Sequence, residues 1–196
     1  MVHMRNLSFD FTPGQNRFMV LDVETQYLSE EVPGGWNAVD KLKVALVVTW
    51  DEAAGMRVWY EADVPGLLDE TRNFSPIVTF NGERFDFQVL SAYGDVSHLR
   101  GERSRDLMVH LRDKLGFRVK LDSLAASTLG RGKSGSGIQS VEWWRSGDPA
   151  LRQKVADYCR MDVELTRDIY LFGKEKGYVL LDDIKTGATR RINVSW

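Results

Sequence analysis

Cysteine is almost missing from this chain of 196 residues: the single thiol, Cys159, excludes an internal disulfide framework and a cysteine-rich zinc site. Histidine is nearly as scarce, and His3, His98 and His110 lack the i,i+4 or paired spacing that zinc ligands usually have. Long apolar runs are missing too. The start, MVHMRNLSFDF, has no apolar core of signal-peptide length, and no stretch approaches the length of a membrane span. The expected location is therefore the cytoplasm, with no membrane partner. An excess of charge of one sign is also lacking. With 26 Lys and Arg against 28 Asp and Glu, the formal net charge of −2 does not draw the protein to DNA, RNA or an anionic membrane. Any polyanion it handles must be held locally, by a basic patch or by bound cations.

What is present fits a soluble globular protein: 43% apolar and 28% charged residues. The length suffices for one hydrophobic core and is short for two, and no repeat or low-complexity linker interrupts it, so one continuous domain over 1–196 is expected. Phe18–Thr25 reads as a central strand buried on both faces. The polar turn SEEVPGGW leads to strands near Val44–Trp50 and Met56–Tyr60, paired as an antiparallel meander. A short helix near Val64–Glu70, a strand at Pro76–Phe80 and, past the Asn81–Gly82 turn, a helix toward Tyr93 follow. The second half reads as helices at Asp106–Leu115, Leu121–Leu129, Gln139–Arg145 and, capped by Asp148–Pro149, to about Phe172. Two strands around a turn at Lys185–Gly187 close the chain. Strands first and mixed helices later predict an α/β fold with a mixed sheet.

The acids stand out by where they sit. Side chains alternate along a strand, so Phe18, Val20, Asp22 and Glu24 share a face, and two carboxylates emerge side by side from an apolar run. A strand fraying into an acidic loop is the plainer explanation of that pair alone. In the last long helix, Leu151, Val155, Tyr158, Asp162, Leu165, Ile169 and Phe172 follow the spacing of a core-facing stripe. Asp162 is thus predicted on the buried face, where a carboxylate must be protonated, paired or bound to a cation. Tyr158, one turn earlier, reaches the same space. Asp86 opens the helix after the NG turn, where an acid alone merely suits the helix dipole. Taken together, Asp22, Glu24, Asp86 and Asp162 would meet in the middle of a sheet, and four ionised carboxylates coexist there only around cations. Hard oxygen ligands select Mg²⁺ or Mn²⁺. Two such ions about 3.5–4 Å apart can stabilise the attacking and the leaving oxygen of a phosphoryl displacement.

In order, the motifs DxE (Asp22, Glu24), NGxxFD (Asn81 to Asp86) and YxxxD (Tyr158, Asp162) resemble those of DEDD-type 3′–5′ exonucleases. Tyr158 makes this the tyrosine variant, similar to the proofreading domain of family B DNA polymerases; the histidine variant would need a histidine where Asp157 stands. The segments DVETQ, EVPGGWNA, FNGERFDFQVL, LDSLAASTLGRGKSG and DYCRMDVELTRDIYLFGKEKGY, with Trp196, resemble a bacterial exonuclease-like domain that occurs alone or fused behind DEAD/DEAH-type helicases. The resemblance implies a ribonuclease H-like mixed β-sheet flanked by α-helices and metal-dependent hydrolysis at the 3′ ends of single-stranded or frayed DNA or RNA. It further implies that Asp22, Glu24 and Asp162 bind the catalytic metal, that Asp22 bridges to a second ion supported by Asp86, and that Tyr158 orients the attacking water. A helicase acting in trans is the partner suggested by the fused relatives.

Other signals are weaker. Gly132-Lys133-Ser134 imitates the end of a phosphate-binding P-loop, but Ser127 stands where that pattern needs glycine and a helix precedes it, so nucleotide hydrolysis is rejected. Arg131 and Lys133 in that loop are candidate contacts to a substrate phosphate, with a solvated loop as the alternative. Trp36 is a candidate to stack a terminal base, and Thr25, Asn81 and Phe85, within the motifs, complete the candidate substrate contacts. Arg100, Arg103 and Arg105 form a basic cluster, read as a solvated face in preference to a nucleic-acid groove. Of Trp143 and Trp144, one is expected to pack inward and the other to stay free. Two further functions remain open: a non-catalytic nucleic-acid- or helicase-binding module, and an endonuclease of the same fold.

Overall fold

The computed structural model describes residues 17–132, 137–183 and 187–196. Its centre is a five-stranded sheet in the order β3-β2-β1-β4-β5, formed by β1 (Met19–Thr25), β2 (Val44–Asp51), β3 (Gly55–Tyr60), β4 (Ile77–Thr79) and β5 (Ser104–Asp106). The first three strands form the expected antiparallel meander, while β4 and β5 run parallel to β1. β1 pairs with β4 only at Met19 and Val20, so Asp22 and Glu24 lie beyond the ladder, where the strand is open on that side. The register against β2 shifts between Glu24 and Thr25, an irregularity that re-aims side chains at the strand's end.

Alternation along β1 divides the core in two. Met19, Leu21 and Val23 pack with Leu67, Phe74, Ile77, Phe87 and Leu90 on the face covered by α1 (Val64–Thr71) and α2 (Asp86–Leu90). Phe18 and Val20 pack with Leu107, Leu124, Cys159, Val163 and Ile169 on the other, covered by α3 (Leu107–Leu115), α4 (Leu121–Leu129) and α6 (Pro149–Lys176). Asp22 and Glu24 share the parity of Phe18 and Val20, so the two acids face α6, as the period-two pattern requires.

The 28-residue α6 is the backbone of that layer, packing on β1, β2 and β4. Asp148 caps it by accepting the N–H of Ala150 at 2.7 Å, and Gly177, at φ 72°, ends it, one turn later than the expected Phe172. α5 (Gly137–Arg145) packs on both α6 and β1. The hairpin of β6 (Tyr178–Asp182) and β7 (Thr189–Asn193) is held to α4: Thr128 Oγ1 donates to the Leu180 carbonyl at 2.8 Å and accepts the Leu180 N–H at 3.1 Å. Among the described residues, no helix is long and apolar enough to cross a membrane.

Three sequence expectations change. β5 was not foreseen: Asp106 ends a strand and caps α3 instead of lying inside the helix. The arginine cluster is a solvated face only in part: Arg100 is exposed and Arg103 is half-buried. Arg103 Nη2 donates to the carbonyls of Arg72 and Phe74 at 2.8 and 2.6 Å, and Arg100 pairs with Glu83 at 3.1 Å. Trp143 and Trp144 are both half-buried against the α6-side core, and cations lie over both rings: Lys154 over Trp143, Arg152 over Trp144.

Candidate active site

The parallel strands β1 and β4 end at one cleft, as ligand sites in open α/β sheets commonly do. Asp22 and Glu24 enter it from β1, Asp86 from the first position of α2, and Tyr158 and Asp162 from successive turns of α6. All five line the same cavity of about 420 Å³, within the roughly 300–1,000 Å³ of small-ligand sites. Acids separated by up to 140 positions in the chain are thus side by side. Glu24, Asp86 and Asp162 are 7%, 2% and 7% exposed, so three of the four carboxylates are withdrawn from water.

Asp86 carries the clearest electrostatic signature. Burial, and after it the charge of Asp22, raises its carboxyl well above the ordinary range, while the backbone N–H groups of Asp86 and Val23 pull it down. Its Oδ1 is buried and has no hydrogen-bond partner among the described residues. A carboxylate so placed costs free energy unless a proton or a cation neutralises it.

The turn that delivers Asp86 is tightly specified. Asn81 adopts φ 76°, a conformation asparagine tolerates better than most residues. A Cβ on Gly82 would come within 2.5 Å of the Thr79 side chain, so only glycine lets the chain reverse against the end of β4. Asp106 locks the turn by accepting the N–H groups of Asn81 and Glu83 at 2.8 and 3.0 Å, besides those of Met108 and Val109. Burial pushes the Asp106 carboxyl up and these four donors oppose it.

A second lock holds the chain after β1. Gln26 Nε2 donates to the Val44 carbonyl and to Glu61 Oε2, both at 2.8 Å, and the Tyr93 hydroxyl donates to Glu61 Oε1 at 2.8 Å. Burial and the Glu61 charge push the Tyr93 phenol up to about 12, so it stays a donor.

Cys159 is the neighbour that sequence reasoning missed. Its thiol donates to the carbonyl of Asp22 at 3.4 Å and to Asp22 Oδ2 at 3.3 Å. Burial, then the charges of Asp22 and Glu24, hold the thiol protonated. Asp22, Glu24 and Cys159 each offer a ligand atom within 4.8 Å of the others, a candidate divalent-metal site. The signal was present in the helix period: Cys159 lies three residues before Asp162, on the same inner face.

Of the candidate substrate contacts, Thr25, Trp36, Asn81 and Phe85 line the cleft. Trp36 is 71% exposed with its ring centroid 6.4 Å from that of Phe85. The Asn81 side-chain oxygen accepts from Arg118 at 2.9 Å. Arg131 does not line the cleft. It is paired with Glu164 at 3.0 Å and with Asp168, which anchors the candidate phosphate contact onto α6. Lys133 lies outside the described residues.

Fold and cleft together define an α/β protein of the ribonuclease H-like class, with acids gathered at the end of the central strand. The family model of the RNase_H superfamily (RNase_H_2) matches residues 19–171, and the chain belongs to that superfamily. No curated protein matches the chain. Among solved structures, the family B DNA polymerase from the hyperthermophilic archaeon Pyrobaculum calidifontis is similar, with a TM-score of 0.60 and 18% identity. The similarity covers 85% of this chain and 25% of the polymerase, so the fold here corresponds to one part of a much longer protein. A ribonuclease H-like nuclease fold is consistent with the carboxylate cluster, whose oxygen donors fit divalent ions.

Proposed function

We propose that this protein is a 3′–5′ exonuclease of the tyrosine-type DEDD class that hydrolyses phosphodiester bonds at single-stranded or frayed ends with two divalent ions, Mg²⁺ or Mn²⁺. The observation that carries this reading is the convergence of Asp22, Glu24, Asp86, Tyr158 and Asp162 on one cleft, with Asp86 Oδ1 buried and lacking a donor among the described residues. Asp22, Glu24 and Asp162 would hold one ion, and Asp86, with Asp22 shared, the other. When bound, the ions supply charge for the developing phosphorane and lower the pKa of water.

The chain's own residues do the rest. Tyr158 is 8% exposed on the rigid α6, so its hydroxyl can hold the attacking water in line with the scissile phosphorus at little entropic cost. In this reading Tyr158 orients that water and is not the group that takes its proton. Phe85 and the exposed Trp36 offer aromatic faces to an unpaired terminal base, while Thr25 and Asn81 border the sugar-phosphate path. A helicase acting in trans would supply frayed ends to such a site.

The test is incubation of 5′-labelled single-stranded DNA and RNA with Mg²⁺ or Mn²⁺. A ladder shortening from the 3′ end is expected, abolished by EDTA and by Asp22→Ala or Asp162→Ala. Cutting of a substrate with a blocked 3′ end would instead identify an endonuclease.

A further inference from the structure

We propose that Asp22, Glu24 and Cys159 form a binding site for a thiophilic divalent cation, Zn²⁺ or Cd²⁺, and that such an ion competes with the hard ions because both use Asp22 and Glu24. The competition rests on the nuclease reading; the site itself does not.

The geometry is close to a coordination shell. Tetrahedral zinc with Zn–S near 2.3 Å and Zn–O near 2.0–2.2 Å separates sulfur from oxygen by roughly 3.6 Å. Cys159 Sγ already lies 3.3 Å from Asp22 Oδ2, and an oxygen of Glu24 lies within 4.8 Å of a ligand atom of each. Independently, Asp86 lines the cleft that Asp22 and Glu24 enter; its Oδ1 is buried and has no hydrogen-bond partner among the described residues, and the residue is 2% exposed.

Ligand softness separates the two kinds of ion. Mg²⁺ and Mn²⁺ take oxygen and leave the thiol protonated, donating to Asp22. A soft ion forms a bond to sulfur, and the thiol proton leaves to buffer. Access runs through Asp22, the one acid of the four that is only half-buried, since Cys159 itself is 0% exposed. On α6 the sulfur stands one turn before Asp162, on the inner face that also carries that third carboxylate.

Cd²⁺ alone, titrated into the full chain without nucleic acid, provides the test. Because the chain has one cysteine, a sulfur-to-cadmium charge-transfer absorption can come only from Cys159. The band is expected to saturate at one equivalent, to vanish in Cys159→Ser, and to need roughly 10–100-fold more Cd²⁺ in Glu24→Gln. Excess Mg²⁺ is expected to move the wild-type midpoint upward. No band in the wild type, or an unchanged midpoint in both Glu24→Gln and Asp22→Asn, overturns the site. A midpoint unmoved by Mg²⁺ overturns the competition. A chain that shows the band yet cuts no nucleic acid retains the site and loses the nuclease reading.

Discussion

The carboxylate of Asp106 accepts the backbone N–H of Asn81 at 2.8 Å, and that bond ties the end of β5 to the turn that carries Asp86. Three further N–H groups, from Glu83, Met108 and Val109, share the same side chain. Asp106→Ala strands these donors and removes the cap of α3, so a loss on the order of 3 kcal/mol is expected in urea denaturation. Asp106→Asn retains one acceptor and should lose less. A loss in Asp106→Ala below about 1 kcal/mol would mean that the turn holds itself.

Gly173 and Trp196 make a sharper case, because propensity and packing oppose each other. Gly→Ala inside a helix ordinarily stabilises by about 1 kcal/mol. Here a Cβ would come within 2.5 Å of the Trp196 indole, whose Nε1 donates to the Tyr170 carbonyl at 3.0 Å. Gly173→Ala is therefore expected to destabilise by about 1–3 kcal/mol, through overpacking. In a Trp196→Ala background the same change should stabilise. Equal effects in both backgrounds would refute the contact.

His98 and His110 set a pH dependence of folding. Burial is the first cause that holds each ring below its ordinary 6.5; Arg72 and Arg103 add to it at His98, and Lys114 and Arg105 at His110. The unfolded chain then binds these protons more readily than the folded one, so stability rises with pH through this range. The contribution is fully present above about 6.5 and lost as pH falls through the lower folded values. Asp86, raised in the folded state, contributes the opposite slope. The difference between wild type and a His98→Gln, His110→Gln double variant isolates the histidines. It is expected to favour wild type less at about pH 5 than at about pH 8. A pH-independent difference contradicts the assignment.

Much of this arrangement was legible in the sequence because it rests on periodicity. Alternation put Asp22 and Glu24 on one face of β1, the helical stripe put Tyr158 and Asp162 on the inner face of α6, and the NG turn announced the start of α2 at Asp86. Where period gave no information, the reading fell short. β5 has three residues, SRD, with no apolar alternation, and only its parallel pairing to β4 makes it a strand. Arg103 looked solvent-bound because its partners are backbone carbonyls, which leave no mark in sequence. Arg131 looked available because Glu164 and Asp168 lie a helix away in the chain. A single cysteine excludes a disulfide framework and a cysteine-rich zinc site, but its place three residues before Asp162 puts Cys159 on the same inner face of α6.

Trp36 is expected to govern substrate affinity without touching the chemistry. It stands 71% exposed beside Phe85 at the mouth of the cleft. Stacking one base is worth about 1–3 kcal/mol, so Trp36→Ala should raise KM for single-stranded substrate roughly 5–150-fold with kcat little changed. A fall in kcat at constant KM would place the indole in the chemical step.

Tyr158→Phe should have the reverse profile. Removing a hydroxyl that only orients water is expected to lower kcat by about 10²-fold while Mn²⁺ affinity stays unchanged. Loss of metal binding in this variant would make Tyr158 a support of the carboxylates instead.

Cation binding at the four acids is the claim on which the rest depends, and calorimetric titration of Mn²⁺ into the metal-free protein, without substrate, measures it most directly. Binding by wild type is expected, with the heat lost in Asp22→Asn and strongly weakened in Asp86→Asn. A wild-type protein that takes up no Mn²⁺, or variants that take it up as well as wild type does, would contradict the account.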